Sequence, residues 1–148
     1  MPTNSGIIEL ARELSRAMAE MRFYLRQYIQ SKIKEHELDI TFELLEVVLY
    51  LHRKDGANQQ ELADMMIKDK SSMTYIIDNL VKRELVKRLE DENDKRSKRI
   101  YLTEKGKELK ASLDPWITEI YEKATNNIRA TEIERSIALI KSMNQNLL

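Results

Sequence analysis

The chain contains almost nothing that breaks a helix: three glycines and two prolines are spread over 148 residues. Inside a helix these residues cost about 1 and 3 kcal/mol relative to alanine, so their scarcity predicts long uninterrupted helices. Ile7, Leu10, Leu14, Met18, Met21, Leu25 and Tyr28 recur at spacings of three and four, which predicts one amphipathic helix from Ile7 to Ile33. Alone, such a helix would expose a long apolar stripe, so it needs a covering surface. Apolar and charged fractions of 42% and 34% describe a globular chain with a sizeable core, either one domain or one domain with appended helices. The absence of cysteine excludes disulfides, thiolate zinc sites and cysteine redox sensing. No apolar run approaches the ~18 residues of a membrane span, and no signal-peptide pattern opens the chain; a cytoplasmic protein is expected.

The remaining elements follow from periodicity and punctuation. A second apolar helix is predicted from Thr41 to Lys54, ended by Asp55-Gly56. Asn58 with Glu61 has the spacing of a capping box and opens a short helix through Met66. A further helix begins near Lys70, with Met73, Ile76, Ile77, Leu80 and Val81 on one face. Its other face carries Ser71, Thr74, Tyr75, Asp78, Asn79 and Lys82. Leu85–Glu90 and Lys98–Thr103 are short and β-prone, and between them they enclose a polar tip, which predicts a hairpin. Helix resumes at Thr103-Glu104 and meets Pro115, which either kinks it or starts a new segment. Thr131 with Glu134 forms a second candidate capping box, followed by the stripe Ile133, Ile137, Ile140 and Leu147.

The order is therefore a long helix, three shorter helices, a hairpin and two closing helices. That order predicts a mainly α fold with a small β-hairpin: a winged helix-turn-helix core flanked by terminal helices. The expected boundaries are 1–36 for the N-terminal helix, 37–112 for the core and 113–148 for the C-terminal helices.

Net charge is zero, but its distribution is uneven. Residues 68–110 carry 13 Lys and Arg against 9 Asp and Glu, leaving 12 against 16 elsewhere. Screening confines charge effects to about 8–10 Å, so one basic segment suffices to attract a polyanion locally. The second helix of a helix-turn-helix enters the major groove with its first residues at the base edges. Ser71, Ser72 and Thr74 supply short polar groups there, Tyr75 and Lys82 extend the outward face, and Lys70 and Asn79 complete the candidate contacts. Taken alone, this segment reads first as an amphipathic helix with a solvated polar face.

The polar tip changes that balance. A hairpin tip can lie along a phosphate backbone or place an arginine in the minor groove. Asp94, Lys95, Arg96, Ser97, Lys98 and Arg99 are the candidate contacts. If strand geometry persists through the tip, Asp94 and Arg96 point to one side, and a bidentate pair would aim the guanidinium. Asp78 is expected to satisfy a helix end or a cation. Glu90, Asp91 and Glu92 would repel phosphate if they lay at the contact.

Residues 41–110 resemble the DNA-binding core of MarR-type transcriptional regulators. The resemblance is carried by QELADMM, by SSMTYIIDNLVKRELVKR and by DENDKRSKRIYLTEKGKEL; Asp94-Lys95-Arg96-Ser97 and Leu102-Thr103-Glu104-Lys105-Gly106 are its most specific parts. It implies a homodimer whose terminal helices interlock and whose two winged-helix lobes read a palindromic operator in double-stranded DNA. It further implies that Arg96 is the wing arginine, that residues 70–82 form the recognition helix, and that the usual role is repression. Many regulators of this type are relieved by a small phenolic or lipophilic effector in a cleft between the dimer helices and the DNA-binding lobe. Tyr24, Tyr28, His36, Tyr50 and Trp116 are candidates to line such a cleft, and no ligand is assigned. The chain departs from the family at Glu84, where glycine is common, and at Tyr75, where arginine is common. The left-handed helix stop and the base preference are therefore not implied here.

Neither a metal site nor a cofactor is expected, since two histidines are too few for the former. No glycine-rich phosphate loop or histidine–carboxylate spacing suggests an enzyme. The alternative function is a winged-helix module that binds another protein through its terminal helices.

Overall fold

The computed structural model describes residues 4–148. Helix α1 (Asn4–Glu35) is followed by α2 (Phe42–Arg53), a two-residue strand β1 (Ala57–Asn58), α3 (Gln59–Met65) and α4 (Lys70–Lys82). Strands β2 (Val86–Glu90) and β3 (Lys98–Leu102) form the hairpin, and α5 (Glu104–Ala124) and α6 (Ala130–Leu147) close the chain. Contacts divide it into two compact units, residues up to Trp116 and Ile117–Leu148.

The N-caps explain where the helices of the first unit begin. Thr41 Oγ1 accepts from the Leu44 amide at 3.3 Å, and Asn58 Oδ1 accepts from the Glu61 amide at 2.8 Å. The reciprocal half of the Asn58 box is absent, because Glu61 turns its carboxylate to Lys54 Nζ at 2.9 Å. Asn58 also pairs with Arg99, and Ala57 with Ile100, which adds a third strand to the hairpin in the order β1-β3-β2. Sequence patterning misses this strand because two residues carry no period. The hairpin register runs from Val86 opposite Leu102 to Glu90 opposite Lys98.

Among the described residues, four that follow helix ends are left-handed without being glycine. Glu37, Ile67, Glu84 and Asn127 have φ of 51°, 52°, 61° and 61°. After α4, the Glu84 amide reaches Val81 O at 2.9 Å and the Leu85 amide reaches Leu80 O at 3.0 Å. This is the paired bonding of a Schellman stop, with buried Leu80 and Leu85 beside it. The left-handed stop that glycine usually provides is thus present at Glu84. It is held by tertiary structure: Thr103 Oγ1 donates to Glu84 O at 2.6 Å.

The core is built by α2, α4 and the sheet. Leu45, Val47, Val48, Leu51, Met73, Ile77, Leu80 and Ile100 are all fully buried. Val81, expected on the same apolar face, is exposed instead. Gly106 brings the start of α5 against the residue that precedes β2, since a Cβ there would stand 2.2 Å from Leu85 O. Helix α5 runs through Pro115 as one segment. Helix α6 begins earlier than the Thr131 box suggests: Arg129 is its N-cap, and the Arg129 amide donates to Glu132 Oε2 at 3.0 Å.

Candidate nucleic-acid interface

Helix α4 is aimed by its buried face. Met73, Ile76, Ile77 and Leu80 anchor it in the core, which leaves Lys70, Ser71, Ser72, Tyr75, Asp78 and Lys82 exposed on the other side. Tyr75 is 71% exposed. The first turn is capped by Asp69, a residue absent from the sequence-based candidates, whose carboxylate accepts from the Ser72 amide at 2.7 Å. That bond holds the Asp69 pKa below its usual value. Thr74 is half-buried and doubly engaged: its hydroxyl donates to Lys70 O at 2.9 Å and accepts from Gln59 Nε2 at 2.6 Å. It ties α3 to α4 rather than offering a free group. Asn79 also turns inward, donating to Tyr75 O at 2.8 Å.

The hairpin tip is a loop, not an extension of the strands, and this alters the role expected of Asp94. Its Oδ1 accepts from the Arg96 backbone amide at 3.0 Å, while the Ser97 amide closes the turn on Asp94 O at 3.0 Å. The expected bidentate Asp94–Arg96 side-chain pair does not form, because the turn removes the strand alternation that it required. Asp94 shapes the backbone and leaves the guanidinium unclaimed. Among the described residues, Lys70, Lys82, Lys95, Arg96 and Lys98 make no ion pair.

Arg99 behaves differently from the other wing cations. Its Nε donates to Asp91 Oδ2 at 2.9 Å and its Nη1 to Gly56 O at 3.0 Å, tying the wing base to the turn before β1. Asp91 also accepts from the Asn93 amide at 3.0 Å, and its pKa is lowered chiefly by that bond and further by Arg99. Glu90 stands opposite Lys98 in the hairpin register, without an ion pair between them. Of the three acids near the wing, Asp91 is therefore accounted for by local structure.

A cleft of about 560 Å³ joins these pieces. Lys70, Met73, Thr74 and Asp78 of α4 line it together with Asp94, Arg96, Ser97 and Lys98 of the wing, and Asn58, Gln59, Gln60 and Ala63 form its floor. Arg88, not singled out in the sequence, also lines it and is paired with Asp78 across α4 and β2. The Asp78 carboxylate thus meets a cation, as expected, and its charge is offset inside the cleft. The concave surface has unpaired cations on both walls, which suits a phosphate-bearing rod.

The fold and sequence agree with known proteins. The model of the MarR family matches residues 40–98. The HTH-type transcriptional regulator SarZ of Staphylococcus aureus (strain USA300) is 30% identical over 116 residues, spanning 74% of this chain and 76% of that protein. The chain belongs to the MarR family of winged helix-turn-helix transcriptional regulators. Among solved structures, a MarR transcriptional regulator from Methanosarcina mazei Go1 superposes with a TM-score of 0.79 at 28% identity, covering 93% of this chain and 99% of that one. S. aureus MepR in its DNA-binding conformation shares the MarR fold, with a TM-score of 0.79 at 24% identity over 91% of this chain and 98% of that one.

The aromatic candidates for an effector cleft are dispersed. Tyr24 and Tyr28 line a shallow groove along α1 with Gln27, Gln30, Ser31 and Lys34. His36 packs on Trp116 with ring centroids 4.5 Å apart, and the Tyr50 ring lies under Arg53 at 5.8 Å.

Proposed function

We propose that this MarR-family chain is a sequence-specific regulator that binds double-stranded DNA as a homodimer, acting as a repressor on a palindromic operator. The observation that carries the reading is the shared cleft: Lys70 and Thr74 from α4 stand on the same concave surface as Arg96 and Lys98 from the wing. In this reading the exposed face of α4 enters the major groove, and the wing tip follows the backbone into the neighbouring minor groove. Lys70, Ser71, Ser72, Tyr75 and Lys82 make the helix contacts, and Lys95, Arg96, Ser97 and Lys98 make the wing contacts. Thr74, Asn79, Asp94 and Arg99 act indirectly, by holding those groups in place. The solved complex of S. aureus MepR with DNA, a protein of the same fold, supports DNA as the partner.

Dimerisation through residues 1–36 and 113–148 is supported by the apolar surface those segments expose. Ile7, Ile8, Leu10, Met18 and Met21 of α1 and Ile133, Ile137 and Leu139 of α6 are all exposed large apolar side chains. Two-fold pairing would set the two recognition helices about one DNA turn apart, ~34 Å. A small lipophilic or phenolic effector that altered that spacing would release the operator.

The test is selection of genomic fragments on the purified protein, followed by anisotropy titration of the retained duplex at several salt concentrations. Binding should weaken steeply with salt, and Arg96→Ala should weaken it by a further ~1–3 kcal/mol if Arg96 contributes to base discrimination. Affinity indifferent to both salt and Arg96 would overturn the reading.

A further inference from the structure

One guanidinium on the inner side of α4 is used more fully than any cation in the cleft. Arg83, the C-cap residue of α4, directs Nε to Asp39 O at 3.0 Å and Nη2 to Asp39 Oδ1 at 3.4 Å. Its Nη1 donates in the other direction, to Asn79 O at 3.3 Å and Asn79 Oδ1 at 3.2 Å. Asn79 then passes the connection on, because its Nδ2 donates to Tyr75 O at 2.8 Å. A continuous run of hydrogen bonds thereby joins Asp39, between α1 and α2, to the backbone beneath Tyr75 on the exposed face of α4. Both polar ends of the Asn79 amide are consumed by it.

We propose that Arg83, acting through Asn79, is a positioning residue for DNA recognition: it fixes the pitch and rotation of α4 against the α1–α2 junction. The proposal rests on the DNA-binding reading above and adds a residue that touches no DNA. Apolar packing under α4 decides which face is buried, but it is non-directional and leaves the finer pitch and rotation to directional bonds. A planar fork with several donors in fixed directions supplies the missing orientation, which a lysine cannot reproduce. Base readout needs side chains held to within about 0.5 Å, so a loosened helix loses discrimination before it loses its fold. Arg83 is set apart from the cleft by its partners: its side-chain hydrogen bonds go to Asp39 and Asn79.

The experiment compares the full chain with Arg83→Met, Arg83→Lys, Asn79→Ala and the Arg83→Met/Asn79→Ala double variant. Each is titrated by anisotropy against a selected operator duplex and a scrambled duplex of equal length, at several salt concentrations. Arg83→Met should lower operator affinity about tenfold. Affinity for the scrambled duplex and the salt slope should stay unchanged, and Arg83→Lys should recover only part of the loss. Asn79→Ala should reproduce the pattern, and the double variant should be no worse than either single one, since both cut the same connection.

Four results would overturn the proposal. A lowered melting temperature with unaltered operator affinity would make Arg83 merely structural. A reduced salt slope would make it a phosphate contact. Full rescue by lysine would show that charge alone matters, and additive losses would show that Asn79 reads DNA directly. A wild-type chain that retains no duplex at all would instead remove the DNA-binding reading beneath it.

Discussion

The central lobe and the terminal helices are built from similar amphipathic helices and reach opposite states of burial. In α2, Leu45, Val47, Val48 and Leu51 are fully buried, whereas Ile7 and Leu10 of α1 are 57% and 59% exposed and α6 has no buried residue. Of the exposed large apolar side chains, seven lie between Ile7 and Tyr24 and seven between Tyr121 and Leu148. The same 3.6-residue period therefore has two different outcomes: it closes a core within the lobe, and at the ends it leaves an apolar face exposed. Burial, not periodicity, separates the two.

The largest expected effect lies in the lobe. Leu45→Ala should lower the unfolding free energy by about 2–5 kcal/mol through lost transfer energy and a residual cavity. Urea denaturation measures it, and the loss should be similar at every protein concentration. Next comes the terminal face, where in the proposed homodimer Leu10→Asp should weaken self-association by about 2–3 kcal/mol, if Leu10 lies at the centre of the seam. Sedimentation velocity should then show a lighter species whose lobe keeps its helical signal. A Leu10→Asp chain that unfolds outright, or one that sediments unchanged, would erase the contrast between the two regions.

A smaller effect is expected at Glu84. A non-glycine residue in the left-handed region costs roughly 1–2 kcal/mol, so Glu84→Gly should stabilise the lobe by about 1 kcal/mol after the added chain entropy of glycine is subtracted. The melting temperature checks this, and a decrease would mean that the Glu84 side chain contributes something its bonds do not reveal.

The smallest effect is a pH dependence at the start of α4. Asp69 has a folded pKa below its ordinary 3.8, chiefly because its carboxylate accepts from the Ser72 amide. Its contribution is present above that ordinary value and is lost as pH falls through the depressed folded one. Asp69→Asn keeps a capping oxygen without the titration. Compared with wild type, its stability curve should lose one small acid-side inflection below about pH 4.

Most of the architecture was legible in the chain. The Ile7–Ile33 stripe gives α1 to within a few residues, and Asn58 and Thr41 are caps as their types suggest. What escaped was non-local. β1 exists only because β3 pairs with it, and Glu84 reverses a helix because Thr103 and Leu85 hold it there. The site was legible in outline and misread in detail for the same reason. Asp94 was expected to hold the Arg96 side chain, whereas the turn made it hold the backbone. Arg99, Thr74 and Asn79 look like outward polar groups in a linear reading, yet each has a partner supplied by another segment or by its own helix turn. Arg88 is ten residues from Asp78, a separation with no periodic meaning until a strand folds back beside a helix.

Hydroxyl-radical footprinting of a selected operator by the wild-type chain and by Arg96→Ala tests most directly whether α4 and the wing grip one duplex. Wild type should protect the backbone on both sides of the major groove and in the adjoining minor groove, and Arg96→Ala should lose only the minor-groove protection. Identical footprints from the two proteins, or protection confined to one groove in wild type, would contradict a shared cleft.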